Sequence, residues 1–195
     1  SAPVEGQSLA SIYKDAVGNQ VTVPAVLYHN EANNKFFNSS GAYIKGRGLA
    51  VKEPATAFAP TTMTATFSGL PTNGDIPYTI VNSNTGDTNR GYNLVGNPYP
   101  SNIDMVKFYT LNGGDGGNLY STAYFWDNRA NNSTSQQGDG YGGQAYGQLN
   151  MKTGTGTAAT GGVITRKPTQ YVKTGQAFMV KSKISSATIN FNNSI

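Results

Sequence analysis

The strongest constraint on how this chain folds is that it states one strand-forming phrase twice. Tyr43-Ile44-Lys45-Gly46-Arg47-Gly48-Leu49-Ala50-Val51-Lys52 is echoed by Tyr171-Val172-Lys173-Thr174-Gly175-Gln176-Ala177-Phe178-Met179-Val180-Lys181. Apart from the inserted Thr174, each position holds the same kind of residue: aromatic, β-branched, Lys, Gly, polar, small, then an apolar run closed by Lys. A second strand-like run follows each phrase, at 63–67 and 187–191. Upstream, 25–30 answers to 123–128, and Ser1-Ala2-Pro3-Val4 answers to Gly96-Asn97-Pro98-Tyr99. Four matches in one order predict an internal duplication, two copies of one supersecondary unit that bury their apolar faces on each other.

The texture of the chain agrees with strands. Charged residues are only 12% of the 195, against 24 Gly and 12 Tyr. Intrinsic disorder would need more charge and fewer aromatics. Apolar residues alternate with polar ones at 21–26, 62–67 and 187–191, and a period of two marks strands with one wet face. Residues 78–81 and 163–164 add two shorter candidates. Turn signals separate them: Val17-Gly18-Asn19, 71–75, Asn84-Thr85-Gly86-Asp87 and 112–117. Helix is expected in two places at most, as a short turn after each Pro-containing phrase. One is Gln7 to Lys14. The other is Ser101-Asn102-Ile103-Asp104, where Ser101 would cap the exposed amides and Asp104 stands three residues on.

These features predict an all-β fold, a β-sandwich or jelly roll built from two duplicated halves in a pseudo-twofold relation. Residues 1–195 form one unit, with repeat 1 at 1–69, a link at 70–90 carrying one hairpin, and repeat 2 at 91–195. Matched positions Tyr28 and Trp126 stand 98 residues apart, whereas Val51 and Val180 stand 129 apart. Repeat 2 therefore carries an insertion of about 31 residues, assigned to 131–162. That stretch is too polar and Gly-rich to form a core strand throughout, and a loop of such length is usually functional or mobile.

Several function classes drop out. The chain has no Cys, which removes disulfides, thiolate metal sites and thiol nucleophiles. The net charge is +4, but the 14 Lys and Arg residues are scattered, with no run resembling a nucleic-acid-binding stripe. No segment approaches the ~18 apolar residues of a membrane helix. Ser1 falls inside a repeat phrase, so the chain reads as a fragment of a longer protein, with any export signal upstream.

The residues Gly91-Tyr92-Asn93-Leu94-Val95-Gly96-Asn97-Pro98-Tyr99-Pro100-Ser101-Asn102-Ile103-Asp104 contain a GNPYPS core. With Tyr124-Phe125-Trp126-Asp127, then 175–181 and Thr188-Ile189-Asn190-Phe191-Asn192-Asn193-Ser194, they resemble a repeating region of large Bacteroidota surface proteins. Those proteins are exported by the type IX secretion system, and the region precedes their C-terminal sorting domain, which this chain lacks. The resemblance implies an extracellular or outer-surface location and carries over no catalytic residue. Within the motif, Pro98 and Pro100 fix φ and cannot donate to a ladder, so they should end the strand 92–95 sharply. Asn97 and Tyr99 are pushed to extended backbone. Of the two X-Pro bonds, Tyr99–Pro100 is the better candidate for cis.

Catalysis finds little support. The one histidine, His29, has no Cys partner or nucleophile motif and reads as a surface or edge residue. No carboxylate pair stands out, and no G-x-S-x-G elbow is present. Calcium is the one cofactor the residues bring into play, since hard oxygen ligands in Gly-rich turns suit it. Asp115 and Asp139 are the speculative ligands, with Asp75 and Asp87 in similar turns, and ordinary turn aspartates are the plainer reading. A sugar site would draw on Tyr141, Gln144, Tyr146 and Gln148 of the insertion, joined by Trp126, although Trp126 reads more simply as a core anchor.

The expected function is non-enzymatic: a structural or adhesive module of a secreted surface protein, with strand donation to a sheet edge as a route to self-assembly. Its partners would be other copies or neighbouring domains of the same protein. The alternative is a carbohydrate-binding module of a secreted polysaccharide-degrading enzyme, with glycans as partners.

Overall fold

The period-two patterns become strands. The computed structural model describes residues 2–7, 13–14, 25–52, 64–127, 145–160 and 166–195. In chain order its strands are β1 (Tyr13–Lys14), β2 (Ala25–Asn30), β3 (Lys35–Asn38), β4 (Ala50–Lys52), β5 (Thr64–Ala65), β6 (Ile76–Val81) and β7 (Tyr92–Gly96). After β8 (Ile103–Asp104) comes the helix α1 (Met105–Leu111), then β9 (Thr122–Trp126), β10 (Tyr146–Asn150), β11 (Thr155–Thr157), β12 (Tyr171–Val172), β13 (Ala177–Lys181) and β14 (Ser186–Phe191). The fold is all-β, with every named pair antiparallel.

The main sheet runs β11-β10-β9-β13-β7, and a second runs β3-β2-β4. Pairs β6–β14, β8–β12 and β1–β5 complete the set. Alternation places Val95, Ala123, Phe125, Leu149, Phe178 and Val180 on one face of the main sheet, all buried. They share one core with Ile76 and Ile80 of β6 and Ala187, Ile189 and Phe191 of β14. Helix α1 joins the two layers, because Phe108 packs against Phe178 and Phe191 at centroid distances of 5.9 and 5.1 Å.

The GNPYPS segment is a rigid corner. Asn97 is fully buried, and its Nδ2 donates to Ser101 O (2.7 Å) and Val172 O (3.2 Å). Its Oδ1 accepts from Tyr99 N–H at 2.9 Å, and the Tyr99 hydroxyl donates to Gly74 O at 2.6 Å. Strand β7 ends at Gly96 before Pro98, as the two prolines require. No described peptide bond is cis, so Tyr99–Pro100 is trans.

The first repeat is knitted to the main sheet along the outer edge of β7. Gly96 N–H donates to Gly46 O and Gly48 N–H donates to Leu94 O, both at 3.0 Å. A Cβ on Gly48 would stand 2.6 Å from Val95 O, so only glycine allows this approach. Glu31, buried in the turn after β2, accepts from Gly91 N–H (2.6 Å), Ser83 N–H (2.9 Å) and Ser83 Oγ (3.3 Å).

Four expectations are corrected. The helix is capped by Asp104, whose Oδ1 accepts from Val106 and Lys107 N–H, not by Ser101; the cap falls three residues later because Ile103 and Asp104 first pair with β12. In the span 7–14, Tyr13 and Lys14 are strand, paired with β5. The link 70–90 forms no hairpin: its strand β6 pairs with β14, over 100 residues away. Within the insertion 131–162, the described part carries the short strands β10 and β11, with Leu149 and Met151 fully buried, and 151–154 between them is a turn. Finally, Trp126 is not a core anchor. Phe125 points inward, so Trp126 must point out, and it is 41% exposed.

The two segments matched in sequence share a pairing order: β2 lies between β3 and β4, and β9 between β10 and β13. Their registers differ by one residue. Val26 pairs with Val51, and the matched Tyr124 pairs with Met179 where the sequence match calls for Val180.

Candidate functional site

Trp126 and Tyr146 are cross-strand partners at the end of β9 and β10, and their rings meet edge to face at 5.2 Å. Both lie on the face turned away from the core, with Gln148 beside them, exposed and paired to Tyr124. Just beyond, Asp127 N–H donates to Ala145 O at 2.8 Å, closing the strand pair. Tyr141, Gln144 and Asp139 lie outside the described residues.

An open groove of about 860 Å³ is lined at these strand ends by Phe125, Trp126, Asp127 and Gly147. The segment Arg166, Lys167, Pro168 and Thr169 lines it too. That segment can lie close because two glycines leave room beneath Pro168: a Cβ on Gly156 would be 1.9 Å from Pro168 O, and one on Gly147 2.9 Å from Pro168 Cγ. Tyr171 and the turn Lys173 to Gln176 complete the lining. That turn is fixed by Gln176 N–H donating to Lys173 O and by Gln176 Oε1 accepting from Lys173 N–H, each at 3.0 Å. Gly175 takes the left-handed backbone the turn needs, with φ 74°.

The groove therefore presents Trp126 and the 55% exposed Tyr171, flanked by Arg166, Lys167 and Lys173, with Asp127 as the acidic group. Among the described residues, none of those three cations makes an ion pair. Three of the 14 Lys and Arg residues meet here, all from the stretch 166–173. Sequence reasoning passed over Tyr171, Arg166, Lys167 and Lys173. One signal was present: Thr174 and the insertion are where the second copy departs from the first, and both departures border this groove.

The remaining candidates sit apart from it. The Asp115 carboxylate accepts from Lys152 Nζ (2.6 Å) and the Tyr109 hydroxyl (3.0 Å), contacts that hold its pKa below the usual value. Lys183 Nζ donates to the backbone oxygens of Asp115 and Gly117. Two ammonium groups at this turn do not suit a divalent cation, which needs six or more oxygens converging on it. Asp87 is a turn residue: it accepts from Asn89 N–H at 2.8 Å and lies 3.6 Å from Arg90 Nε. Asp75 lies near Tyr99, whose pKa is pushed up to about 12, first by burial and then by that carboxylate. Among the described residues, no three His, Asp or Glu side chains gather as a metal-binding group.

His29 stands on the central strand of its sheet, not at an edge. Its ring packs edge to face on Phe36 at 5.1 Å, and Nε2 lies 3.3 Å from Asn34 Oδ1. The ring is largely buried, and burial lowers its pKa against the opposing pull of Asn34, the Tyr92 backbone and Glu31.

A family model described as a domain of unknown function, DUF8693, matches residues 1–195, so the chain belongs to that family. No curated protein and no solved structure matches it.

Proposed function

We propose that this member of the DUF8693 family is a non-catalytic adhesive module of an exported surface protein, and that it adheres by holding a glycan in the groove beside Trp126. The observation that carries the reading is the outward Trp126 in a groove that also holds exposed Tyr171. Large aromatic rings left in water at a concave site are typical of ligand surfaces, where one apolar face and a few polar groups fix the bound molecule. The apolar face of a pyranose ring suits such a ring, and Asp127, Thr169 and Thr174 supply partners for its hydroxyls.

Self-assembly by strand donation is less favoured. The edges of the β6–β14 pair are engaged by side-chain amides: Asn112 bonds both N–H and O of Asn190, and Asn93 bonds both N–H and O of Val81. Export to the outer surface rests on the resemblance of the GNPYPS region alone. A carbohydrate-binding module of a polysaccharide-degrading enzyme would use the same groove, and the exposed aromatics support it equally.

A glycan array probed with the 195-residue protein tests the reading. Selective binding, lost on Trp126→Ala and weakened on Tyr146→Ala, is expected. No glycan binding, with concentration-dependent self-association in sedimentation, would return the protein to the structural class.

A further inference from the structure

We infer that the groove selects a negatively charged polysaccharide, one whose pyranose units carry carboxylate or sulfate. The inference deepens the glycan-holding reading and rests on it. Three cations line the groove against one carboxylate, Asp127. The chain as a whole carries only 14 Lys and Arg in 195 residues, so three along one groove is a local concentration. The ion pairs seen between described residues lie elsewhere, at Lys45–Glu5, Arg90–Asp87 and Lys152–Asp115. Arg166, Lys167 and Lys173 thus keep their charge for a ligand, and walls of low polarizability strengthen their field in the groove.

Arg166 and Lys167 line the groove from one segment and Lys173 from the turn that follows, and Trp126 and Tyr171 belong to the same lining. A sugar ring held against either aromatic would have these cations within the same groove. Carboxylate or sulfate there meets guanidinium or ammonium, and guanidinium can take either group in a bidentate pair. Single-stranded nucleic acid also combines stacking with cations. The polysaccharide is favoured because Asp127, also in the lining, can accept from the ring hydroxyls that every pyranose unit carries and a DNA strand lacks.

The test compares matched ligands by calorimetry or affinity electrophoresis. Polygalacturonate is set against its fully methyl-esterified form, and dextran sulfate against dextran, with an oligo-dT strand as a further probe. At low salt, at least one charged polymer is expected to bind about tenfold or more tighter than its neutral mate. That preference should shrink in ~0.3 M NaCl, as screening requires. Arg166→Gln with Lys173→Gln should remove the preference while leaving binding to the neutral polymer, and Trp126→Ala should weaken both. Thermal melts of the variants, expected to be unchanged for these surface positions, separate lost binding from lost fold. Equal, Trp126-dependent binding of charged and neutral polymers would overturn the charge inference and leave the glycan reading standing. Binding of no polysaccharide would remove both. Oligo-dT binding as tight as the best polysaccharide, or charged-polymer binding that survives Trp126→Ala, would overturn the inference in favour of general polyanion attraction.

Discussion

Two asparagines act as substitute strands. Asn112, just past α1, offers its amide to the backbone of Asn190 on β14, receiving one hydrogen bond at 2.8 Å and donating one at 3.1 Å. Asn93 does the same for Val81 on β6, at 3.0 and 2.8 Å. A side-chain amide carries the same donor and acceptor as a peptide group, so it can satisfy a strand edge without a strand. Asn93→Leu leaves buried groups unsatisfied and should destabilise by about 1–3 kcal/mol in urea unfolding, with Asn112→Ala at the lower end because its site is more exposed. Glu31 is a similar case with charge. In Glu31→Gln, one carboxylate oxygen becomes an NH₂ facing an N–H donor, and a loss of about 2–3 kcal/mol is expected.

The titrating residues set the pH limits of stability. His29 has its folded pKa below 6.5, so the unfolded chain takes up the proton first and stability falls as pH drops through 6.5 and below. Asp115, with a lowered pKa, adds a loss further down, as pH falls through the carboxylate range. At the other end, Tyr99 and Tyr124 are raised to about 12, each mainly by burial. The unfolded phenols ionise first, so stability should decline from about pH 10 to pH 12. Melting temperature measured across pH should show both declines. His29→Gln should flatten the step near 6.5 and leave the alkaline one.

At the scale of elements, close backbone approach decides where segments can dock. Gly48 admits the first repeat's phrase to β7, and Gly156 admits the 166–170 segment to the main sheet. Ala at either position would meet a backbone oxygen that cannot rotate away. Gly48→Ala should destabilise by about 1–3 kcal/mol, as overpacking generally does. Gly156→Ala should displace that part of the groove lining as well, so it should weaken glycan binding where an exposed substitution such as Thr157→Ala does not. The corner after β7 shows a different economy. Asn97 ties the motif to β12 through three side-chain hydrogen bonds, and Asp104 both caps α1 and accepts from Gln170 Nε2 at 3.0 Å.

Across the whole molecule, burial is uneven. Of the core cluster, every member falls between Ile76 and Phe191, whereas the three-stranded sheet of the first repeat contributes Leu27 as its buried apolar residue among those described. Amide exchange should therefore be slowest in β9 and β13 and measurably faster in β2 and β3, which open without disrupting the main core. Uniform protection across both sheets would show that the first repeat is stabilised by more than the described contacts. The groove lies at the end of the main sheet, so ligand should protect amides of 171–176 without altering those of β2.

Local periodicity was enough to determine that this is a strand protein. Alternation at 187–191 and the Lys-Gly phrases reads directly as β14, β4 and β13, because side-chain direction in a strand depends only on neighbours two residues apart. The prolines at 98 and 100 likewise announce the end of β7, since their geometry is covalent. What lay beyond the sequence depended on partners distant along the chain. Nothing near residue 78 says that β6 pairs with β14, and nothing near 149 says that Leu149 lies across from Ala123 on β9. Alternation gives two faces to β9 but not which one is buried. Only the layer of β6, β14 and α1 packed on Phe125 decides that Trp126 faces water. The same holds for charge: Arg166, Lys167 and Lys173 are near neighbours in sequence, but only the docking of their segment over Gly147 and Gly156 brings them beside Trp126 and Asp127.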